Sequence, residues 1–293
     1  MDAIHVSARD IWTGESVVIR GRVHSVDGTL LNYRIFGQGT PVVTCLHPLA
    51  LDGSWYEELA DALGQGRRYL CPDFRGHGDT ENGTSQVTLD LLAEDVAALW
   101  HQLGVQTSTV FGVSLGGMVA QALATRHRES VDSLVLMGTT ARFDEQGRHH
   151  TGQRAALARS EGGMAQLLEP TLQRWFDEDT MRANEPLVER ARASLRATDG
   201  EVHGAFLDAM CALDYIDSSP EWDNPPTTLV IGGDNDTSAT PSVIKALAAA
   251  IPGAELTTTP GGHLAVFEHA GQAADLVNDF LGRQNPVGPD SAR

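Results

Sequence analysis

The stretch VFGVSLGGMVAQALA, residues 110–124, decides how the rest of the chain is read. It opens as a short apolar run of strand character and closes as an alanine-rich segment of helical character. Between them Gly112-Val113-Ser114-Leu115-Gly116 fits G-x-S-x-G. In that pattern a tight strand-to-helix turn pushes a serine into a strained, exposed position at the end of a sheet. The glycines leave room where a Cβ would clash. Ser114 is therefore a candidate nucleophile; the plain alternative is a serine that caps the following helix.

Outward from this turn, the chain alternates strand and helix. SVVIRGRVHSV and TLLNYRIFG are β-rich runs separated by Asp27-Gly28, a hairpin signal. PVVTCLH, RRYLCPDF and SLVLMGT are continuous apolar runs, the pattern of strands buried on both faces of a parallel sheet. WYEELADALG and LDLLAEDVAALWHQLG carry helical spacing and stop at Gly64 and Gly104. Two antiparallel strands followed by this alternation predict an α/β protein with a doubly wound, mainly parallel sheet.

From residue 141 to 222 the composition shifts to Arg, Glu, Ala and Leu, with helical spacing in MAQLLEPTLQRWF and LVERARASLRA. This segment is expected to be a helical cap inserted over the end of the sheet. The core is then residues 1–140 and 223–283, where alternation resumes with TTLVIGG, SVIKALAAAIPG, AELTTT and HAGQAADLVNDFLG. Residues 1–16 read as an extension on the surface, and 284–293, with Pro286 and Pro289, as a disordered tail.

With 39 acidic residues against 21 basic ones, the formal net charge of −18 argues against nucleic acid and anionic membrane as partners. Cys45, Cys71 and Cys211 are odd in number and widely spaced, unlike a disulfide framework. The N-terminal sequence has no basic segment followed by an apolar one, and no run approaches the roughly 20 apolar residues of a membrane span. A cytoplasmic protein acting on a small molecule is the expectation, with homo-oligomerisation left open.

A serine hydroxyl is a weak nucleophile, so a base and an orienting acid must be found. After TTLVIGG comes Asp234-Asn235-Asp236, and after AELTTT comes Pro260-Gly261-Gly262-His263. Both sit where a strand ends, and the carboxyl ends of strands in open α/β sheets are where sites assemble. Asp236 is preferred as the acid, with Asp234 the alternative, and His263 as the base. Two donors for an oxyanion are also needed. The Leu115 N–H is one. The other must come from His47-Pro48-Leu49, where Pro48 has no N–H, so Leu49 is assigned.

With these residues placed, the chain resembles the α/β-hydrolase family over roughly residues 29–282. The landmarks LHPLALDGSW, DFRGHGDT, GVSLGGMVAQALA, GGDNDTSATP and GGHLAVFEH occur in that family's usual order. GVSLGGMVAQALATRH, the Ala141-Arg142 pair and RWFDEDTMRANEPLVERARASLRATDG are similar, more narrowly, to 3-oxoadipate enol-lactonases. The resemblance implies a serine hydrolase that needs no cofactor or metal and cleaves a small lactone or carboxylic ester through an acyl-enzyme. It also implies that Arg142 could hold a substrate carboxylate, and Trp55, at the end of the first landmark, is grouped with it as a substrate contact. A general carboxylesterase, a cofactor-free perhydrolase and a C–C bond hydrolase are the enzymatic alternatives; a small-molecule receptor on the same fold is the non-enzymatic one.

Overall fold

The hairpin signalled by Asp27-Gly28 opens the sheet. Strands β1 (Ile19–His24) and β2 (Leu30–Gly37) pair antiparallel across it. The computed structural model describes residues 18–284, except 65 and 218. The expected surface extension at 1–16 lies outside the described residues, as does the expected tail apart from Gln284, which ends the last helix.

Strands β3 (Gly39–Leu46), β4 (Gly66–Pro72), β5 (Ser108–Val113), β6 (Val131–Met137), β7 (Thr227–Gly233) and β8 (Glu255–Thr259) complete one eight-stranded sheet. Its order is β1-β2-β4-β3-β5-β6-β7-β8. β2 runs antiparallel to β4, and every pair from β4 to β8 is parallel. Residue chemistry follows position. β5, in the middle, is buried at every residue, whereas the edge strands β1 and β8 each keep exposed residues among buried or half-buried ones. Central strands are covered on both faces, so they can be apolar throughout; edge strands meet water.

The covering helices are α1 (Glu57–Leu63), α2 (Leu89–Leu103) and α3 (Leu115–Arg126), then, late in the chain, Pro241–Ala250, Ala265–Glu268 and Ala270–Gln284. Helix α2 shows how the sequence sets its limits. The Thr88 side chain accepts a hydrogen bond from the Leu91 N–H at 3.0 Å, and Gly104 ends the helix at φ 71°, a left-handed conformation that suits glycine.

Between β6 and β7 the chain forms five described α-helices: α4 (Glu145–Ala158), α5 (Gly163–Trp175), α6 (Glu178–Ala183), α7 (Glu185–Ala197) and α8 (Gly200–Cys211). The apolar spacing pointed to α5 and α7 alone. Helices α4, α6 and α8 have weaker stripes or are short, but caps mark their starts: Asp144 accepts from Gly147, Asp177 from Thr180, and Asp199 from Glu201 and Val202. The parallel sheet thus ends, at the carboxyl edges of β5 to β8, beneath this helical segment.

Candidate active site

The turn from β5 into α3 is built by exclusion. A Cβ on Gly112 would lie 2.3 Å from the Gly116 carbonyl oxygen, and one on Gly116 would lie 1.9 Å from that of Leu46. Only glycine lets strand, turn and helix pass this closely. Ser114 is left at φ 53°, ψ −115°, a strained backbone for a residue with a side chain. The surroundings hold it there: its N–H donates to the Met137 carbonyl at 2.9 Å, and its carbonyl accepts from the Thr139 hydroxyl at 2.9 Å. The serine is only 8% exposed, facing a cavity instead of the open solvent the sequence suggested.

Two loops at the ends of β7 and β8 bring their side chains to it. His263 Nε2 lies 2.9 Å from Ser114 Oγ, and His263 Nδ1 lies 2.8 Å from Asp236 Oδ2. All three residues are buried. The other Asp236 oxygen accepts from the N–H groups of Ser238 at 2.7 Å and Ala239 at 2.9 Å. Burial pushes the Asp236 carboxyl upward, but His263 and these N–H donors outweigh it and hold the acid below its usual range. Asp234 is exposed, with its N–H bonded to the Thr259 carbonyl, so the alternative acid does not reach the histidine. The histidine loop has an anchor that spacing alone did not reveal. Glu268 accepts from Gly262 N–H at 2.7 Å and from Asp177 N–H at 3.2 Å, and Leu264 N–H donates to the Trp175 carbonyl. One half-buried carboxylate thereby ties the loop carrying His263 to the helical segment above it.

The loop after β3 supplies the oxyanion candidate by elimination. Ala50 N–H is taken by His77 Nε2 at 3.0 Å, and Leu51 N–H by the Pro48 carbonyl at 3.3 Å. Leu49 N–H has no partner among the described residues, and Leu49 lines the cavity beside Ser114. Leu115 is the first residue of α3, so its N–H has no helical carbonyl to bond. Two buried histidines set this loop. His47 Nδ1 donates to the Pro48 carbonyl and its Nε2 accepts from Phe74 N–H; His77 Nδ1 donates to the Arg75 carbonyl. Each ring is an acceptor at one nitrogen, so each must be neutral, and burial pulls His47 down to about 4 and His77 to about 3. Their placement at strand ends was visible in the sequence; their use as acceptors was not.

The cavity, about 810 Å³, is lined by Ser114, His263 and Leu49 from the sheet edge and by Arg154, Trp175 and His203 from the helices above. Arg142 also lines it, but its side chain is 65% exposed and paired with Asp217. Trp55 must be corrected: it is not among the lining residues. It lies 2% exposed in the core, its ring 5.5 Å from that of Phe267 and covered by the Arg190 guanidinium at 4.2 Å, because the turn Gly53–Tyr56 points it inward. Among the described residues no group of three or more His, Cys, Asp or Glu side chains is placed to hold a metal ion, and no helix is long and apolar enough to cross a membrane.

Comparison with known proteins gives consistent matches. The family described as alpha/beta hydrolase fold matches residues 41–270. The enol-lactonase from Burkholderia xenovorans LB400 has a structure similar to this one, with TM-score 0.82 and 32% identity, covering 89% of this chain and 99% of that one. 3-Oxoadipate enol-lactonase 2 of Acinetobacter baylyi is 27% identical over 207 residues, 70% of this chain and 76% of that protein. The 2-hydroxymuconate semialdehyde hydrolase of Pseudomonas putida is 33% identical over 227 residues, 74% of this chain and 78% of that protein.

Proposed function

The chain belongs to the α/β-hydrolase family; from that premise we propose that it is a hydrolase of ester bonds that opens a small lactone or carboxylic ester through an acyl-enzyme on Ser114. One observation carries this reading: the unbroken relay from Ser114 Oγ to His263 Nε2 to Asp236 Oδ2, at 2.9 and 2.8 Å. Similarity to two enol-lactonases supports the lactone over other esters.

In the first step His263 takes the hydroxyl proton as Ser114 Oγ bonds to the substrate carbonyl carbon. Asp236 fixes the imidazole with its proton on Nδ1 and stabilises the imidazolium that forms; its two backbone donors keep it ionised and in place. The carbonyl oxygen, now negative, accepts from the N–H groups of Leu49 and Leu115. Collapse of the tetrahedral adduct breaks the bond to the leaving oxygen, which takes the proton from His263. In a lactone that alcohol stays attached to the acyl group. Water, deprotonated by His263, then attacks the acyl-enzyme, and Ser114 regains its proton as the acid leaves. The helices α4 to α8 serve as a cap: residues of α4, α5 and α8 wall the cavity into which Ser114 opens.

A second reading has its own support. The 33% identity to 2-hydroxymuconate semialdehyde hydrolase favours C–C bond cleavage by the same serine. Purified protein assayed on enol-lactones, simple esters and vinylogous diketones separates the two, with Ser114→Ala as the control. The lactonase reading requires turnover of lactones that Ser114→Ala lowers by at least about 10⁴-fold. Turnover confined to the diketones would replace it with the second reading.

A further inference from the structure

Two guanidinium groups line the cavity without an acid to pair with. Arg154 on α4 and Arg174 on α5 both face the space that Ser114 and His263 open into. Elsewhere Arg34, Arg75, Arg126, Arg159 and Arg192 are each held by carboxylates. Arg154 makes no hydrogen bond or ion pair among the described residues, and its Nε is buried without a partner. Arg174 makes one bond, to the Thr171 hydroxyl at 3.1 Å. Burial, and then the charge of Arg174, pull Arg154 down to about 10, and burial pulls Arg174 down as well.

A third group completes the wall. His203 on α8 is 1% exposed and lines the same cavity, with both ring nitrogens buried and unpartnered. Burial first, and then Arg154, His77 and Arg174, pull it down to about 3, so the ring is neutral and has an N–H to give. Buried polar groups normally find partners, and two neighbouring cations cost more to bury than one. The chain has 39 acidic residues against 21 basic ones, so carboxylates to neutralise this wall were plentiful. The two acids that line the cavity are engaged at other tasks: Asp144 caps α4 through Gly147 N–H, and Asp217 pairs with Arg142.

We propose that Arg154, Arg174 and His203 form an anion subsite that holds a carboxylate on the same substrate molecule whose ester carbonyl meets Ser114. Planar guanidinium groups match the two oxygens of a carboxylate, and the His203 N–H adds a further donor. The ester half of this statement rests on the serine-hydrolase reading; the subsite itself does not. Arg142, exposed and already paired, stands outside it.

The test uses the Ser114→Ala protein, which binds without turnover, and two esters that differ in one charge. Titration calorimetry should show monomethyl glutarate binding at least about tenfold more tightly than dimethyl glutarate, the scale of a charge-assisted hydrogen bond. Adding Arg154→Gln or Arg174→Gln should remove most of that difference, and Arg154→Lys should retain part of it, with each fold checked by circular dichroism. Equal affinity for the two esters, no saturable binding of the acid ester, or folded glutamine variants that keep the preference would overturn the proposal. Hydrolysis of monomethyl glutarate by the protein with Ser114 intact is read separately. Selective binding without turnover would leave the subsite standing and remove the hydrolase reading; turnover with equal binding would do the reverse.

Discussion

In the proposed mechanism Ser114 draws its chemistry from neighbours that already fix it in the structure. Asp236 illustrates the point: two backbone N–H groups occupy one oxygen and leave the other for His263. Asp236→Asn should keep the fold and lower kcat by about 10⁴-fold, because the amide can donate to the ring and favour the wrong tautomer. Steady-state kinetics on any turned-over ester will measure it, and a loss under tenfold would mean that Asp236 does not orient the base. Arg142→Ala should change KM less than about threefold, since an exposed ion pair contributes little. The same residues show what was legible. Ser114, Asp236 and His263 could be named from sequence because each follows a strand and sits among glycines. Trp55 was misplaced because an aromatic after a strand end can face cavity or core, and only packing decides. Nothing in the sequence marks Arg154 and Arg174; that they line the cavity without an acid partner depends on how α4 and α5 dock, which spacing does not encode.

At the scale of elements, the site is held by loops whose anchors lie in other loops. His77 holds Ala50, His47 holds Phe74, and Glu268 bridges the histidine loop to Asp177. The elbow allows no slack either. A methyl group at Gly116 would sit 1.9 Å from the Leu46 carbonyl oxygen, so Gly116→Ala must separate β3 from α3. That variant should lose more than about 2 kcal/mol of stability, the range of an overpacked buried site, together with most activity. Urea unfolding midpoints will check it; an unchanged midpoint would mean that the strand and helix can part freely. The order of strands and helices was readable because the central strands carry continuous apolar stretches, such as Leu134–Met137, and because α1 and α2 end on glycine. Helices α4, α6 and α8 were not, since periodicity shows chiefly the apolar stripe, while their starts are written in the capping residues Asp144, Asp177 and Asp199.

Across the whole molecule, burying neutral histidines couples the fold to pH. His47, His77 and His203 are held at about 4, 3 and 3, below the ~6.5 of an unfolded histidine. Between about pH 6.5 and 4 the unfolded chain therefore binds protons that the folded chain refuses, and stability falls as pH falls, by up to about 1.4 kcal/mol per pH unit for each histidine. Burial raises Asp73 and Asp95, which opposes this trend toward the acid end. Urea midpoints at pH 7, 6 and 5 should decline steadily; a flat profile would mean that these rings accept protons in the folded state. The net charge of −18 makes the unpaired arginines of the cavity a local exception to an acidic molecule, suited to drawing an anion inward. The proposed chemistry rests on one nucleophile, Ser114. The most direct test is to treat the protein with a fluorophosphonate and map the adduct by peptide mass spectrometry. Rapid, stoichiometric phosphonylation of Ser114 is expected, abolished in Ser114→Ala and slowed in Asp236→Asn. An unlabelled Ser114 in the folded protein, or equal labelling of the Ser114→Ala variant, would contradict it.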